Sequence, residues 1–147
     1  MTVALHTPQE AARWLRARVR GTLQTDSRRV GVGDGFIAWP GAARDGRAYV
    51  RAALQQGAAA CLVERAGVEA YDYAGVDGRI ATYVDLKAAS GPIAAAYYEE
   101  PSRRLDVLAV TGTNGKTSTS WWLAHALAQL QPPRPCGLIG TLGVGRV

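Results

Sequence analysis

Apolar and polar residues along the chain switch repeatedly between helical and strand spacing. Thr7-Pro8-Gln9-Glu10 reads as a helix start, with Thr7 as cap, Pro8 at the first helical position and Glu10 completing a capping box. That helix is expected to run to about Arg18, with Ala11, Trp14, Leu15 and the stem of Arg18 on one face, and to end at Gly21. Leu23-Gln24-Thr25 is a short extended piece. Polar turns follow at Asp26-Ser27-Arg28-Arg29 and Gly33-Asp34-Gly35. Phe36 to Trp39 before Pro40 predicts a strand. Residues 41–46 read as a loop, and Arg47 to Gln56 as a helix stopped by Gly57. Strands are predicted at Ala59–Val63 and Arg79–Val84, separated by a loop over 65–78. Asp85 is the expected cap of a helix from Leu86 to Glu99, which Gly91-Pro92 should interrupt or split.

Pro101-Ser102 punctuates the chain. Leu105 to Val110 is a nearly continuous apolar run, the pattern of a strand buried on both faces. A glycine-rich turn, a helix from about Lys116 to Leu130, a proline-rich break and a further strand from Gly137 to Gly140 follow. There is no internal repeat. The layout places a boundary near residues 100–103 and predicts two domains, 1–102 and 103–147. The first is a small α/β domain. The second is one βαβ unit, too few elements for a doubly wound sheet, so the chain is expected to be the front part of a longer one.

Composition narrows the class. The 147 residues are 48% hydrophobic and 20% charged, an ordinary globular balance. No run of 18 apolar residues predicts a membrane span, and the N-terminus lacks the pattern of a secretory signal. Cys61 and Cys136 form no metal or disulfide framework. A cytoplasmic protein is the simplest reading. The formal charge of +5 comes from both ends of the chain, while residues 41–100 hold eight acidic against six basic groups. In the basic tail only Arg103-Arg104 are adjacent, with no interleaved aromatics. An anionic small molecule accounts for the excess with fewer assumptions than a nucleic acid.

The strongest chemical signal is Thr111-Gly112-Thr113-Asn114-Gly115-Lys116-Thr117, set between an apolar run and a helix. Glycines at 112 and 115 let backbone N–H groups turn inward, and the helix start adds its unpaired N–H groups. Lys116 supplies a point charge for β/γ-phosphates, and Thr117 a hydroxyl for Mg²⁺. The spacing is a shortened G-x-x-G-K-T, because Val110 stands where the longer loop has its first glycine.

A second constellation brackets the Phe36–Trp39 strand. Ser27 can donate a hydroxyl, Arg28 can clamp a phosphate, and the loop of Gly41, Ala42 and Ala43 can offer backbone groups. The same turns read equally as Asp26 and Asp34 acting as turn residues beside solvated arginines. Trp39 suits either a stacked ligand ring or the core. His6, His125, Cys136 and Glu99-Glu100 have no partners in sequence that make them chemical candidates, and Cys61 reads as core. Trp121 and Trp122 are adjacent and so point in different directions, with at least one expected to pack against the part of its domain expected beyond residue 147 or against the small domain.

With these residues in hand, the sequence resembles the Mur ligase family, cytoplasmic ATP-dependent enzymes that extend the peptide of the cell-wall precursor. Thr111–Thr117 resembles the family's shortened phosphate loop. Asp26-Ser27-Arg28, Gly33 to Ala38 and Gly41 to Gly46 resemble the N-terminal uridine-nucleotide domain of the third and fourth ligases, and Gly57-Ala58 fits as well. Ile139-Gly140-Thr141-Leu142-Gly143 is similar to the third. The resemblance covers essentially all 147 residues, but a third or less of a family member. It implies an α/β fold: a small substrate domain followed by the start of a P-loop ATPase domain. Ser27, Arg28, Gly41, Ala42 and Ala43 would contact the UDP-sugar. Gly112, Thr113, Asn114, Gly115, Lys116 and Thr117 would hold ATP, with Lys116 catalytic and Thr117 on Mg²⁺.

The resemblance further implies addition of a diamino acid (meso-diaminopimelate or L-lysine) to UDP-N-acetylmuramoyl-L-alanyl-D-glutamate through an acyl phosphate, by a monomer that engages no nucleic acid or membrane. The remaining metal ligands and the amino-acid pocket would lie beyond residue 147, leaving this stretch inactive alone. A D-alanyl-D-alanine-adding ligase and a noncatalytic nucleotide-binding module are the alternatives.

Overall fold

The computed structural model describes residues 2–146. The chain divides into two compact units, Met1–Leu105 and Asp106–Val147. The first is built on a five-stranded, all-parallel sheet ordered β1-β5-β4-β3-β2, with β1 Val3–Leu5, β2 Leu23–Gln24, β3 Gly35–Ala38, β4 Ala60–Glu64 and β5 Ile80–Tyr83. Three helices cover it: α1 (Pro8–Arg16), α2 (Val50–Gln55) and α3 (Leu86–Tyr97).

Alternation along the strands sorts the core into two layers. Ile37, Ala60, Leu62, Ala81 and Tyr83 meet Ala11, Trp14 and Leu15 of α1 and Leu86 and Ile93 of α3. Phe36, Ala38, Cys61, Val63 and Ile80 face Val50, Ala53 and Leu54 of α2. Leu15, Phe36, Leu62, Ile80 and Ile93 are fully buried, each stabilising the fold by about 1.5–3 kcal/mol relative to exposure.

The capping box forms as the sequence predicts: Glu10 N–H donates to Thr7 Oγ1 (3.2 Å) and Thr7 N–H to Glu10 Oε2 (3.3 Å). The helix stops at Arg16, not Arg18. Arg18 turns back instead, donating to Trp14 O (3.1 Å) with its guanidinium 4.4 Å from the Trp14 ring centre. The helix expected over Arg47–Gln56 divides into a 3-10 turn at Gly46–Tyr49 and α2, because the Asp45 carboxylate caps the tighter turn at Arg47 N (2.9 Å). β1 has no counterpart in the sequence reading.

Two expectations fail around α3. The helix runs through Gly91-Pro92 unbroken; glycine before proline has no Cβ to clash with the pyrrolidine ring. Asp85 is not the side-chain cap. It sits in the left-handed region (φ 55°), and Glu64 at the end of β4 supplies the acceptor. At the other end of α3, Tyr98 Oη accepts from Leu23 N (3.0 Å) on the outer side of β2, and the Arg16 guanidinium donates to the carbonyls of Ala96 and Tyr97.

The second unit contains α4 (Lys116–Ala128) and an antiparallel hairpin of β6 (Gly137–Gly140) and β7 (Gly143–Arg146). The apolar run Leu105–Val110 forms no strand, in contrast to the expectation, and Leu105, Val107 and Leu108 are exposed. A strand buried on both faces needs neighbouring ladders, and among the described residues β6 pairs with β7 instead. Gly143, at φ 108°, lets the chain reverse after two residues and makes β6 half of a hairpin rather than the next parallel strand.

Candidate functional site

The loops after β2 and β3 leave the same end of the sheet, because the two strands are parallel and in register at Leu23–Gly35 and Gln24–Phe36. The carboxyl ends of parallel strands are where open α/β sheets bind ligands. After β2, Ser27–Arg29 form a 3-10 turn capped by Asp26, whose Oδ1 accepts from Arg28 N (3.0 Å). The Arg28 guanidinium grips the same carboxylate through Nε (2.9 Å to Oδ1) and Nη2 (2.7 Å to Oδ2), which pulls the Asp26 carboxyl down to about 2. Arg28 is therefore tied to the turn, yet its side chain stays 87% exposed. Ser27 is half-buried, and its hydroxyl takes part in no hydrogen bond among the described residues. The turn packs beside α2.

After β3 the chain forms a tight loop. Its base is an isolated bridge between Pro40 and Asp45, closed by Gly41 N to Arg44 O (2.9 Å) and Gly46 N to Trp39 O (3.0 Å). A Cβ at Gly41 would lie 2.7 Å from Arg44 O, so glycine is required there. Gly41, Ala42, Ala43 and Arg44 are exposed, and among the described backbone hydrogen bonds the amides of Ala42, Ala43 and Arg44 donate to none. The methyl side chains of Ala42 and Ala43 leave those amides open beside the exposed Arg44 side chain. Trp39, the other candidate here, is half-buried and packs against the core layer of α1 and α3.

Arg47 is expected from the sequence only as the first residue of a helix. It is 8% exposed, donates from Nε (3.0 Å) and Nη2 (2.7 Å) to the two Asp45 oxygens, and holds the Asp45 carboxyl at about 2. Its third nitrogen donates to Ala66 O. The Asp-Gly-Arg order right after a loop was the available signal, since Asp caps and the second residue after it meets the capping carboxylate, as at Asp26-Ser27-Arg28. Cys61 lies in the core, where burial pushes its thiol up to about 12.

In the second unit, the turn before α4 carries two glycines in conformations that L side chains rarely adopt, Gly112 (φ 149°) and Gly115 (φ 76°). Gly115 is the N-cap and brings no side chain to the first-turn amides of α4, which have no intrahelical acceptor. Lys116 folds back over the turn, its Nζ donating to Gly112 O (2.5 Å) and Thr113 O (3.3 Å). Thr113, Asn114 and Thr117 are exposed, and the Thr117 hydroxyl has no partner among the described residues. Unpaired amides, an ammonium and a free hydroxyl on one glycine-shaped turn fit a polyphosphate. Among the described residues no three His, Cys, Asp or Glu side chains gather where they could hold a metal ion. Trp121 and Trp122 are both exposed and line an open cavity of about 380 Å³ with Leu138 and Leu142 of the hairpin.

Comparison with known proteins defines the class. The family described as "Mur ligase family, catalytic domain" matches residues 21–98, within the five-stranded unit. The chain belongs to the Mur ligase family. Among its relatives, the UDP-N-acetylmuramoyl-L-alanyl-D-glutamate–2,6-diaminopimelate ligase of Acidovorax sp. (strain JS42) is 60% identical over 97% of the chain and 30% of that protein. The ligases of the same name from Janthinobacterium sp. (strain Marseille) and Pseudomonas aeruginosa are 47% and 46% identical over 90% and 84% of the chain. The chain thus spans less than a third of the length of these relatives. A solved 2,6-diaminopimelate ligase of the same name is 28% identical, with a TM-score of 0.54 over 86% of this chain and 24% of that one. A D-alanyl-D-alanyl ligase from Acinetobacter baumannii is 27% identical, with a TM-score of 0.59 over 88% of this chain and 29% of that one.

Proposed function

We propose that the chain supplies the nucleotide-handling part of a cytoplasmic, ATP-dependent ligase that adds a diamino acid to UDP-N-acetylmuramoyl-L-alanyl-D-glutamate. In this reading residues 1–102 hold the UDP-sugar, and residues 103–147 open a P-loop ATPase domain. Ser27, Arg28 and the Gly41-Ala42-Ala43 loop receive the uridine nucleotide, the last through backbone amides. Gly112 to Thr117 receive ATP. The relatives' common name favours 2,6-diaminopimelate over L-lysine as the diamino acid, and their higher identity outweighs the similarity to the D-alanyl-D-alanyl ligase.

The observation that carries this reading is the Lys116 ammonium folded over the Gly112 and Thr113 carbonyls at an uncapped helix start. When bound, ATP supplies the phosphoryl group that activates the substrate carboxylate. The residues of this chain bind and neutralise: the α4 amides and Lys116 offset phosphate charge, and the Thr117 hydroxyl offers one ligand to Mg²⁺. Gly112 and Gly115 keep side chains out of the cradle.

Calorimetric titration of the chain with ATP·Mg²⁺ and separately with UDP-N-acetylmuramoyl-L-alanyl-D-glutamate tests the proposal. Saturable binding of both is expected. Uridine binding without ATP binding reduces the chain to a sugar-nucleotide module, and binding of neither overturns the reading.

A further inference from the structure

Arg47 is a buried arginine in a domain whose other arginines reach solvent among the described residues. We propose that it is a positioning residue for nucleotide recognition: its guanidinium locks the base of the 41–44 loop, so that the free amides of Ala42, Ala43 and Arg44 are presented in one arrangement. This rests on the uridine role proposed above for that loop.

The geometry is that of a cross-link. Two guanidinium nitrogens meet both Asp45 oxygens, and Asp45 is the residue bridged to Pro40 at the neck of the loop. The remaining Nη1 reaches Ala66 O, in the segment after the adjacent strand β4. The face of the guanidinium lies 5.0 Å from the Tyr71 ring centre, and the Arg47 carbonyl accepts from Tyr73 Oη (3.0 Å). Segments after β3 and β4 are thereby fixed to one another by a single side chain. The loop tip has no such device of its own: glycine and two alanines bring no side-chain hydrogen bonds. A loop of this composition binds well only if its shape is set beforehand, and the restraint has to come from its base. Lysine keeps the charge but cannot meet two carboxylate oxygens and a carbonyl in one plane.

The test compares Arg47→Lys and Asp45→Asn with the native chain, reading affinity for UDP, affinity for ATP, and hydrogen exchange of the Gly41 and Gly46 amides. Gly21→Ala, which strains the same unit near Asp34, controls for general destabilisation. Both loop variants are expected to lose roughly tenfold in UDP affinity, to exchange Gly41 and Gly46 faster and to keep native ATP affinity, while Gly21→Ala keeps native UDP affinity. Native UDP affinity, within twofold, in folded Arg47→Lys and Asp45→Asn overturns the positioning role, as does an equal loss in Gly21→Ala. Failure of the native chain itself to bind UDP overturns the uridine role of the loop, and this assignment with it.

Discussion

The carboxylate of Glu64 accepts a 2.7 Å hydrogen bond from Leu86 N, joining the end of β4 to the first residue of α3 across 22 positions of sequence. Its other oxygen accepts from Ala66 N at 3.1 Å. One side chain, 8% exposed, therefore satisfies a helix start and the turn that follows its own strand, and its negative charge faces the positive end of the helix. Glu64→Ala leaves both amides without an acceptor and is expected to destabilise the first unit by about 2–4 kcal/mol, whereas Glu64→Gln, which keeps an acceptor oxygen, loses less. Urea denaturation of the two variants separates these outcomes.

Acid should weaken the Asp45–Arg47 pair. The folded-state carboxyl of Asp45 is held at about 2 by its hydrogen bonds with Arg47, against an unfolded value of about 3.9. The unfolded chain thus binds the proton more readily. The pair's contribution is fully present above the unfolded value and is lost as pH falls from about 4 towards 2. Asp34 shifts the same way, because Gly31 N and Thr22 N donate to it. Thermal melts between pH 6 and 2 should fall steeply at the acid end, and Asp45→Asn should flatten that slope.

Gly21 and Asp34 are packed too closely for any side chain at 21. A Cβ there would lie 2.1 Å from Asp34 Oδ1, the atom that accepts from Thr22 N at 2.7 Å. Gly21→Ala is expected to cost about 1–3 kcal/mol by displacing that carboxylate from two amides. Gly78→Ala, with open space around the new methyl, should change stability by no more than about 0.5 kcal/mol. Chemical denaturation of the pair measures the difference.

On the nucleotide side, Lys116→Met removes the ammonium while keeping a long side chain. ATP affinity should drop by about 10–100-fold, the value of a charge-assisted hydrogen bond or two, with UDP affinity unchanged. Thr117→Val should leave metal-free ATP binding intact and remove most of the gain that Mg²⁺ gives. Titrations with and without Mg²⁺ read both effects.

Local chemistry was legible in the sequence. Thr7 and Glu10 are three residues apart and build their capping box without help from the rest of the fold. The strands predicted at Phe36–Trp39, Ala59–Val63 and Arg79–Val84 lie within a residue or two of the observed ones, because each is a short apolar run bounded by turn residues. What escaped was set by distant partners. β1 is three residues long and exists through its ladder with β5. The cap of α3 comes from Glu64, while the neighbouring Asp85 is turned into the left-handed region. The run Leu105–Val110 has the composition of an inner strand, but among the described residues no ladder receives it. Of the candidate site residues, Lys116 and the two glycines announced themselves through spacing. Arg47 did not, since an arginine at the start of an amphipathic segment normally reads as solvated and its burial depends on Asp45, Ala66 and Tyr71 together.

The hydroxyl of Tyr98 on Leu23 N has a consequence for how the domain behaves among its own kind. Both outermost strands are short, three residues on one side and two on the other, and on the shorter side an amide facing outward is already occupied by that phenol. Strand addition on that side would have to displace the phenol, and a two-residue edge offers little ladder in return.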